Sequence, residues 1–241
     1  MVEDSLRNKI LGDLYYDYRN FTLRNPKISV ETRNTKTIRR VIFHCTDAPG
    51  WTPERLSRFF IDERGFSICS YHYYVQAEKV YHMVGDSIIT PHAAPYNTSS
   101  IAFSIDYYAS SYEKLKIPLD QRVYQNAIKT ATYLCLLFQI IPNRDSLRGH
   151  RELPDTGFFW NKEQDIKILR KTCPGMAIDL DKFRYEVARS MQETMNKIAI
   201  KQLAVDGVFG PKSQAVMAAL PALLTPSYTD PINTGFHQSD K

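Results

Sequence analysis

The sequence predicts an α/β fold, a mixed central β-sheet flanked by helices, with a small helical module at its C-terminal end. The first observation is that segments of β-forming residues alternate with amphipathic helical segments. The second is that 241 residues with 43% hydrophobic content can bury one substantial core and a small second unit. With 24% charged and 12% aromatic residues, the composition is that of a folded chain and excludes a disordered one.

Charge and hydropathy exclude several classes of function. The net charge of +5 comes from Lys and Arg residues scattered among acids, so we expect a solvated surface and no nucleic-acid partner. No stretch of ~18 apolar residues occurs, so we expect no membrane span. The first twenty residues lack the apolar run of a signal peptide, which predicts synthesis in the cytoplasm. The four cysteines are widely separated and form no CxxC pair, which favours a reducing compartment.

Residues 1–36 are polar and rich in tyrosine, and they precede the first strong strand pattern. Leu6, Ile10, Leu14 and Tyr18 recur at helical spacing before an Asn/Arg/Thr-rich connector. This pattern predicts a helical arm and connector outside the core, which could dock a protein partner or cover the site.

The first strand and helix of the main domain have clear boundaries. Residues 37–46 read as a strand and stop at the turn cluster of residues 47–50. Thr52 is a good N-cap, Pro53 suits the first helical position, and Gly65 ends the helix.

Further strands and a long helix follow. Residues 70–77 and 79–84 are strand candidates separated by a short polar break, which predicts a hairpin, and residues 101–107 make another strand. Residues 120–139 form a long amphipathic helix, because apolar residues recur every three or four positions. The pattern does not fix the order of the strands.

Three residues have the chemistry of a metal site. His44 ends an apolar strand, His150 lies in a turn after the long helix, and Cys173 lies in another turn. A catalytic zinc usually takes three ligands from His, Cys and carboxylates and leaves a fourth position open. Each signal is weak alone, because a single His at a strand end is more often structural.

Six short motifs occur around these residues in a fixed order: VIFHCTDAP at 41–49, SYHYYV at 70–75, HAAPYN at 92–97, SIAFSI at 100–105, GHRELP at 149–154 and KTCPG at 171–175. Together they make residues 37–182 similar to the type 2 N-acetylmuramoyl-L-alanine amidase family. This family includes phage lysozyme-type amidases and peptidoglycan recognition proteins. The resemblance covers about 60% of the chain.

The resemblance implies a Zn²⁺ ion held by His44, His150 and Cys173. Two further residues match the family's catalytic partners, Tyr71 and Lys171. A phenol can orient the attacking water, and a cation can stabilise the oxyanion.

The resemblance also implies that His92 and Asn97 contact the substrate. Many relatives carry a Glu at the position of Ser104, where it assists the water. Asp106 faces the same side of the strand as Ser104, but we do not expect it to take over that role. His72 and His82 lie within strand patterns and are expected to be packing or surface residues.

Residues 186–224 resemble the small three-helix peptidoglycan-binding module of type 1, chiefly in the VDGVFGPKS run at 205–213. Met191, Met195, Ile198, Val216 and Leu220 are the candidate mini-core. Two interpretations remain open: a wall anchor that raises the local substrate concentration, and a helical cap that only packs against the main domain. Residues 225–241 read as a flexible tail.

The sequence therefore predicts a zinc-dependent N-acetylmuramoyl-L-alanine amidase. It would hydrolyse the amide bond between N-acetylmuramic acid and L-alanine in bacterial peptidoglycan, as a phage endolysin or particle-borne lysin that acts on the wall after release. The alternative is a non-catalytic peptidoglycan recognition protein. A cysteine hydrolase that uses Cys45 is disfavoured, because adjacent strand residues such as His44 and Cys45 point to opposite faces.

Overall fold

The computed structural model describes residues 2–108, 117–154, 158–161, 166–169, 172–175, 177–199 and 202–224. The helices in these ranges are α1 (Val2–Ile10), α2 (Pro53–Arg58), α3 (Gln121–Leu137), α4 (Leu180–Ile198) and α5 (Pro211–Leu224). The strands are β1 (Tyr15–Asp17), β2 (Arg40–Cys45), β3 (Tyr73–Val75), β4 (Val80–His82), β5 (Ser100–Ile105), β6 (Leu147–Gly149), β7 (Phe158–Asn161) and β8 (Ile166–Leu169).

Six of these strands form one mixed sheet in the order β1-β4-β3-β5-β2-β6. The pair β3 and β4 is the antiparallel hairpin that the sequence predicts, and the other neighbours run parallel. The strands β7 and β8 pair separately. Because β2, β5 and β6 are parallel neighbours, their carboxyl ends meet at one edge of the sheet. The α/β prediction is confirmed.

The central strand β2 is buried on both faces, as expected of a strand inside a parallel sheet. Val41, Ile42 and Phe43 are all fully buried. The ring of Phe43 stacks on Phe103 of β5 at 4.6 Å and lies 4.7 Å from the ring of Phe183 in α4. The main core therefore joins the sheet to the C-terminal helices.

The predicted helix start at Thr52 is confirmed. The Thr52 side chain accepts a hydrogen bond from the Arg55 backbone N–H, and Pro53 occupies the first helical position. After α2 the chain continues through one π-helical turn, Phe59–Glu63, and Gly65 follows with a φ of 65°. Glycine adopts this left-handed conformation without strain, so it ends the helix.

The N-terminal segment differs from the predicted arm outside the core. Leu6 and Leu11 are almost fully buried in the main core, and α1 packs against α3 and α5. Strand β1 pairs in parallel with β4, with Tyr15 opposite Val80, and forms the edge of the sheet. The helical spacing marked α1 at Leu6 and Ile10, but Leu14 and Tyr18 lie beyond the end of this helix. The spacing also could not show that the chain folds back onto the domain. A protein partner for this segment remains unsupported.

The C-terminal helices share the main core. Helix α4 begins at Leu180 and runs across the predicted boundary between residues 182 and 186. Met191 and Met195 are fully buried, and Val216 and Leu220 of α5 join the same cluster. The predicted mini-core residues do pack together, but as a continuation of the main core. The packing agrees with the helical-cap interpretation.

The loop between α4 and α5 is fixed by one buried amide. Gln192 accepts a hydrogen bond from the Gly207 N–H and donates to the Asp206 side chain and the Val208 carbonyl. Gly207 has a φ of 73°, a conformation that suits glycine in a tight Asp-Gly turn. A Cβ atom on Gly207 would lie 2.3 Å from the Tyr185 ring, so this position requires glycine.

No helix among the described residues is both long and apolar enough to cross a membrane.

Candidate functional site

Three predicted metal ligands meet at the carboxyl edge of the sheet. His44 lies near the end of β2, His150 directly follows β6, and Cys173 lies in the turn after β8. Their ligand atoms all lie within 4.8 Å of one another, and His44 Nδ1 is 3.7 Å from Cys173 Sγ. The His44 and His150 rings are 4.6 Å apart. The fold thus brings together residues that are more than 100 positions apart in the sequence.

Arg151 ties the His150 turn to the Cys173 turn. Its backbone N–H donates to the Cys173 carbonyl at 2.9 Å, and its guanidinium donates to the carbonyls of Gly175 and Ile178. Burial lowers the pKa of Arg151, although it remains a cation at neutral pH. The motif residue after His150 therefore has a structural task, which is to hold the loop that carries the thiol.

A partly buried ion pair supports the same turn from the side of α4. Glu152 accepts a hydrogen bond from the Gly149 N–H and two from the Arg184 guanidinium, at 2.9 and 3.1 Å. Arg184 is only 5% exposed and also donates to the Leu147 carbonyl. A Cβ atom on Gly149 would lie 2.6 Å from the Leu180 side chain, so the backbone here packs closely against the start of α4.

The donor set fits Zn²⁺. Zinc binds imidazole nitrogen at ~2.0–2.1 Å and thiolate sulfur at ~2.3 Å in tetrahedral sites, which places neighbouring donors about 3.3–3.6 Å apart. The 3.7 Å between His44 Nδ1 and Cys173 Sγ is close to that spacing. Two imidazoles and one thiolate leave a fourth position for water or substrate.

Tyr71 lies beside the donor cluster, as the sequence predicts. Its ring centroid is 5.1 Å from that of His44, and its hydroxyl donates a long hydrogen bond of 3.5 Å to the Cys45 carbonyl. Burial raises the pKa of Tyr71 well above its usual value. The phenol is therefore a proton-bearing donor at the rim of the site. Lys171, the other predicted catalytic residue, lies outside the described residues.

His92 and Asn97 lie in the loop before β5, next to the cluster. Asn97 Oδ1 accepts hydrogen bonds from the backbone N–H groups of His92 and Ala93, at 3.1 and 2.6 Å. The His92 ring borders the cleft and contacts His44, with Nδ1 3.3 Å from His44 Nε2. Burial lowers the pKa of His92 well below its usual value, so the ring is neutral. The substrate contacts predicted for His92 and Asn97 stay predictions.

Ser104 and Asp106 have separate surroundings. Ser104 stands opposite His44 in the sheet, and its hydroxyl is buried with no hydrogen-bond partner among the described residues. Asp106 accepts hydrogen bonds from Gly50 N–H at 2.9 Å, from Tyr74 hydroxyl at 2.7 Å and from Gln76. Its carboxylate thus anchors the turn after β2, in line with our expectation that it does not replace the missing Glu.

An open cleft of about 570 Å³ leads to the cluster. Its aromatic wall was not predicted from the sequence and consists of Trp51, Phe59, Phe60 and Phe66. The Arg64 guanidinium lies over the Phe59 ring at 5.0 Å and also borders the cleft. The helical pattern that begins at Thr52 does not show that residues of the following turn, such as Phe59, border an open site.

His72 and His82 are packing residues, as predicted. Burial, with the nearby Arg33 cation, lowers the pKa of His72 to about 3. His82 stacks on the Tyr73 ring at 4.2 Å and contacts Asp86 at 3.2 Å. Neither histidine borders the cleft.

Comparison with known proteins agrees with the fold. Residues 34–176 match the model of a family described as N-acetylmuramoyl-L-alanine amidase. No curated protein sequence matches the chain.

Three solved structures illustrate the likeness of fold. The Ph2119 endolysin from the Thermus scotoductus MAT2119 bacteriophage has a TM-score of 0.52 at 17% identity, covering 72% of this chain and 98% of that one. The amidase LysC from Clostridium intestinale URNW has a TM-score of 0.50 at 14% identity, with 72% and 95% covered. Drosophila peptidoglycan recognition protein SD has a TM-score of 0.50 at 16% identity, with 68% and 89% covered. At these identities the likeness shows the fold alone.

Proposed function

Because the chain belongs to the N-acetylmuramoyl-L-alanine amidase family, which acts on peptidoglycan, we propose that it is a zinc-dependent member of that family. It hydrolyses the amide bond between N-acetylmuramic acid and L-alanine. The proposal of zinc dependence is supported by the cluster of His44, His150 and Cys173, whose ligand atoms lie within 4.8 Å of one another.

The cluster supplies what hydrolysis of an amide requires. When bound there, Zn²⁺ lowers the pKa of a water molecule toward ~7 and polarises the carbonyl of the scissile amide. The residues of the chain that would hold the metal line the cleft. Arg151 and the Glu152–Arg184 pair fix the two turns that carry His150 and Cys173. This rigidity matters because ligands held in place need no reorganisation when substrate binds.

Tyr71 contributes a hydrogen-bond donor at the rim of the site. Its hydroxyl donates a long hydrogen bond of 3.5 Å to the Cys45 carbonyl, a weak bond that it can exchange for one to a substrate oxygen. Lys171 is proposed as the cation that stabilises the oxyanion of the tetrahedral intermediate, as the family motif predicts. The aromatic wall formed by Trp51, Phe59, Phe60 and Phe66 gives the cleft apolar area on which a glycopeptide can pack.

The test is digestion of purified peptidoglycan followed by mass analysis of the products. We expect free stem peptides with an alanine amino terminus, which disappear when a chelator removes the metal and return when Zn²⁺ is added. Intact wall that sediments with the protein would instead favour the non-catalytic recognition protein. Intact wall without binding would contradict both functions.

Two cysteine variants separate the zinc enzyme from a cysteine hydrolase. Cys173→Ala removes a proposed ligand and should abolish release of stem peptides. Cys45→Ala is the matched control, because the Cys45 side chain belongs to the main core and does not join the ligand cluster. Retained activity in Cys45→Ala excludes Cys45 as the nucleophile.

We propose further that the enzyme acts at the bacterial wall as a phage endolysin or particle-borne lysin. The support is the resemblance of residues 186–224 to a peptidoglycan-binding module, since an enzyme that recycles soluble fragments needs no anchor. Addition of the protein to cells whose membranes are permeabilised tests this setting. Loss of turbidity supports a lysin, and activity on soluble muropeptides alone contradicts it.

A further inference from the structure

The nitrogen of His44 that faces away from Cys173 begins a chain of hydrogen bonds. His44 Nε2 lies 3.3 Å from His92 Nδ1, and His92 Nε2 lies 3.1 Å from Ser100 Oγ. The Ser100 hydroxyl donates to the Tyr96 carbonyl at 2.6 Å. His44, His92 and Ser100 are 2%, 7% and 0% exposed, so water does not compete strongly for these groups.

The last hydrogen bond, from Ser100 to the Tyr96 carbonyl, determines which group donates and which accepts in each of the other hydrogen bonds. A backbone carbonyl only accepts, so the Ser100 proton points at Tyr96. Ser100 Oγ then accepts from His92 Nε2–H, which leaves His92 Nδ1 without a proton. His92 Nδ1 therefore accepts from His44 Nε2–H, and the remaining nitrogen of His44, Nδ1, presents its lone pair 3.7 Å from Cys173 Sγ.

We propose that His92 and Ser100 are positioning residues that hold His44 in the tautomer and ring orientation in which Nδ1 binds the metal. The inference rests on the proposed function, because it requires the zinc site. A neutral imidazole has one donor and one acceptor nitrogen, and the partner of one nitrogen decides which lone pair the other presents. Partners of this kind commonly fix the orientation of metal-binding histidines.

The surroundings of His92 support this role over direct contact with substrate. Both of its ring nitrogens have partners in the chain of hydrogen bonds, so neither is left for a ligand. Asn97 fixes the loop by accepting from the backbone of His92 and Ala93. The HAAPYN motif thus acts on His44 through the His92 ring, and Asn97 sets the backbone from which that ring projects.

The test measures Zn²⁺ affinity of the metal-free full-length protein by competition with a chromophoric chelator. We expect His92→Leu to bind Zn²⁺ about 10–100-fold more weakly than the wild type. His92→Asn should recover part of the loss, because its Oδ1 can accept from His44 Nε2–H. Ser100→Ala should lose less Zn²⁺ affinity than His92→Leu, since the His92 ring remains but its tautomer is no longer fixed. Ser57→Ala is the control, because Ser57 is an equally buried serine whose hydroxyl has no partner among the described residues.

A second readout follows the coordination directly. The Co²⁺-loaded proteins should keep their thiolate absorption band in all variants, because Cys173 is unchanged. Ligand-field bands should shift in His92→Leu and return toward the wild type in His92→Asn. A purely structural role for His92 would not produce recovery by asparagine.

The possible results separate the two proposals. A wild type that does not bind Zn²⁺ overturns the proposed metal site itself. If the wild type binds Zn²⁺ tightly and both His92→Leu and Ser100→Ala bind it with the same affinity as the wild type, the positioning role is overturned. The proposed metal site is then left intact. Equal losses of Zn²⁺ affinity in Ser100→Ala and in the control Ser57→Ala also overturn the positioning role. If His92→Leu does not fold, the comparison of Ser100→Ala with Ser57→Ala still decides the test.

Discussion

At the scale of single residues, surroundings decide what a histidine does. His44 and His72 both lie in or beside central strands, but only His44 reaches the cleft. His72 is fully buried, and its Nδ1 accepts a hydrogen bond from the Ala102 N–H at 3.1 Å while its Nε2 contacts the Ile88 carbonyl at 2.9 Å. The same residue type is a candidate ligand in one place and a part of the core in the other.

The buried His72 should make the protein sensitive to acid. Its pKa is lowered from 6.5 to about 3 by burial and by the Arg33 cation. Between these pH values the unfolded chain binds a proton at this residue that the folded chain does not. The free energy of unfolding therefore falls as the pH drops below 6.5, by up to ~1.4 kcal/mol per pH unit from this group.

The measurement is urea unfolding of the wild type and His72→Gln at pH 7 and pH 5. The glutamine amide can still donate and accept in this position, but it does not titrate. We expect the wild type to lose about 2 kcal/mol more than the variant between the two pH values. Equal losses would mean that His72 is protonated in the folded protein.

The sequence identified some residues of the site but not all of them. The positions of His44, His150, Cys173 and Tyr71 followed from motif order, and the structure brings the described residues of that set together. Ser100 opens the SIAFSI motif, but nothing in the motif assigned it a role, because a serine at a strand start is common. Its place in the hydrogen-bond chain depends on the path of the loop before β5.

At the scale of elements, the attachment of α4 to the site is the main structural feature. Arg184 projects from α4 and binds Glu152, which caps the turn that carries His150. The C-terminal helix thus stabilises the edge of the sheet where the ligands meet. Arg184 also donates to Asp181 at 2.6 Å, and Asp181 forms a second ion pair with Arg144 that is exposed at both ends.

Removal of the buried Arg184 should lower the free energy of unfolding much more than removal of the exposed Arg144. We expect Arg184→Met to lower the free energy of unfolding by about 2–3 kcal/mol, because Glu152 loses its partner while remaining largely buried. This is below the ~3–5 kcal/mol of fully buried pairs, since Glu152 keeps some contact with water. Arg144→Met, the matched control, should change the free energy of unfolding little, because Arg144 and its partner Asp181 are both exposed to water. Chemical denaturation measures both, and similar losses would contradict the role given to Arg184.

Element length decided which parts of the fold could be predicted. The long patterns of β2, β5 and α3 gave correct elements, and the hairpin of β3 and β4 was also found. Strands β1 and β6 have only three residues each, and their pairing partners lie far away in sequence. Strands β3 and β4 are equally short, but they flank one polar break and so gave a hairpin signal. Strands β1 and β6 have no neighbouring partner in the sequence, so only the assembled sheet defines them.

At the scale of the whole molecule, the N-terminal helix α1 and the C-terminal helices α4 and α5 complete the domain. Helix α1 packs against α3 and α5, so residues near the N-terminus contact residues near position 220. A deletion from residue 186 onward would therefore remove fully buried side chains such as Met191 and Met195 and expose the core. Surface substitutions are a better test of wall binding than truncation.

The C-terminal helices present an apolar groove of about 560 Å³ that includes Leu203, Val216 and Leu223. Leu223 and Val208 are 52% and 67% exposed. If this segment anchors the enzyme, the double variant Val208→Ser, Leu223→Ser should sediment less with purified wall and hydrolyse a soluble muropeptide at the wild-type rate. Ile28→Ser, at a comparably exposed apolar residue of the N-terminal segment, is the control. Unchanged sedimentation would leave the C-terminal helices with a packing role only.

The sequence by itself determined the α/β class, the longer elements, the family and the three metal-ligand candidates, because periodicity and motif order are properties of the linear chain. The tertiary structure alone decided the strand order, the inclusion of the N-terminal helix and the C-terminal helices in one core, and the hydrogen-bond partners of His44. These depend on contacts between residues far apart in sequence. Local patterns contain no information about which distant surfaces meet, and it is the burial of those surfaces that selects one arrangement.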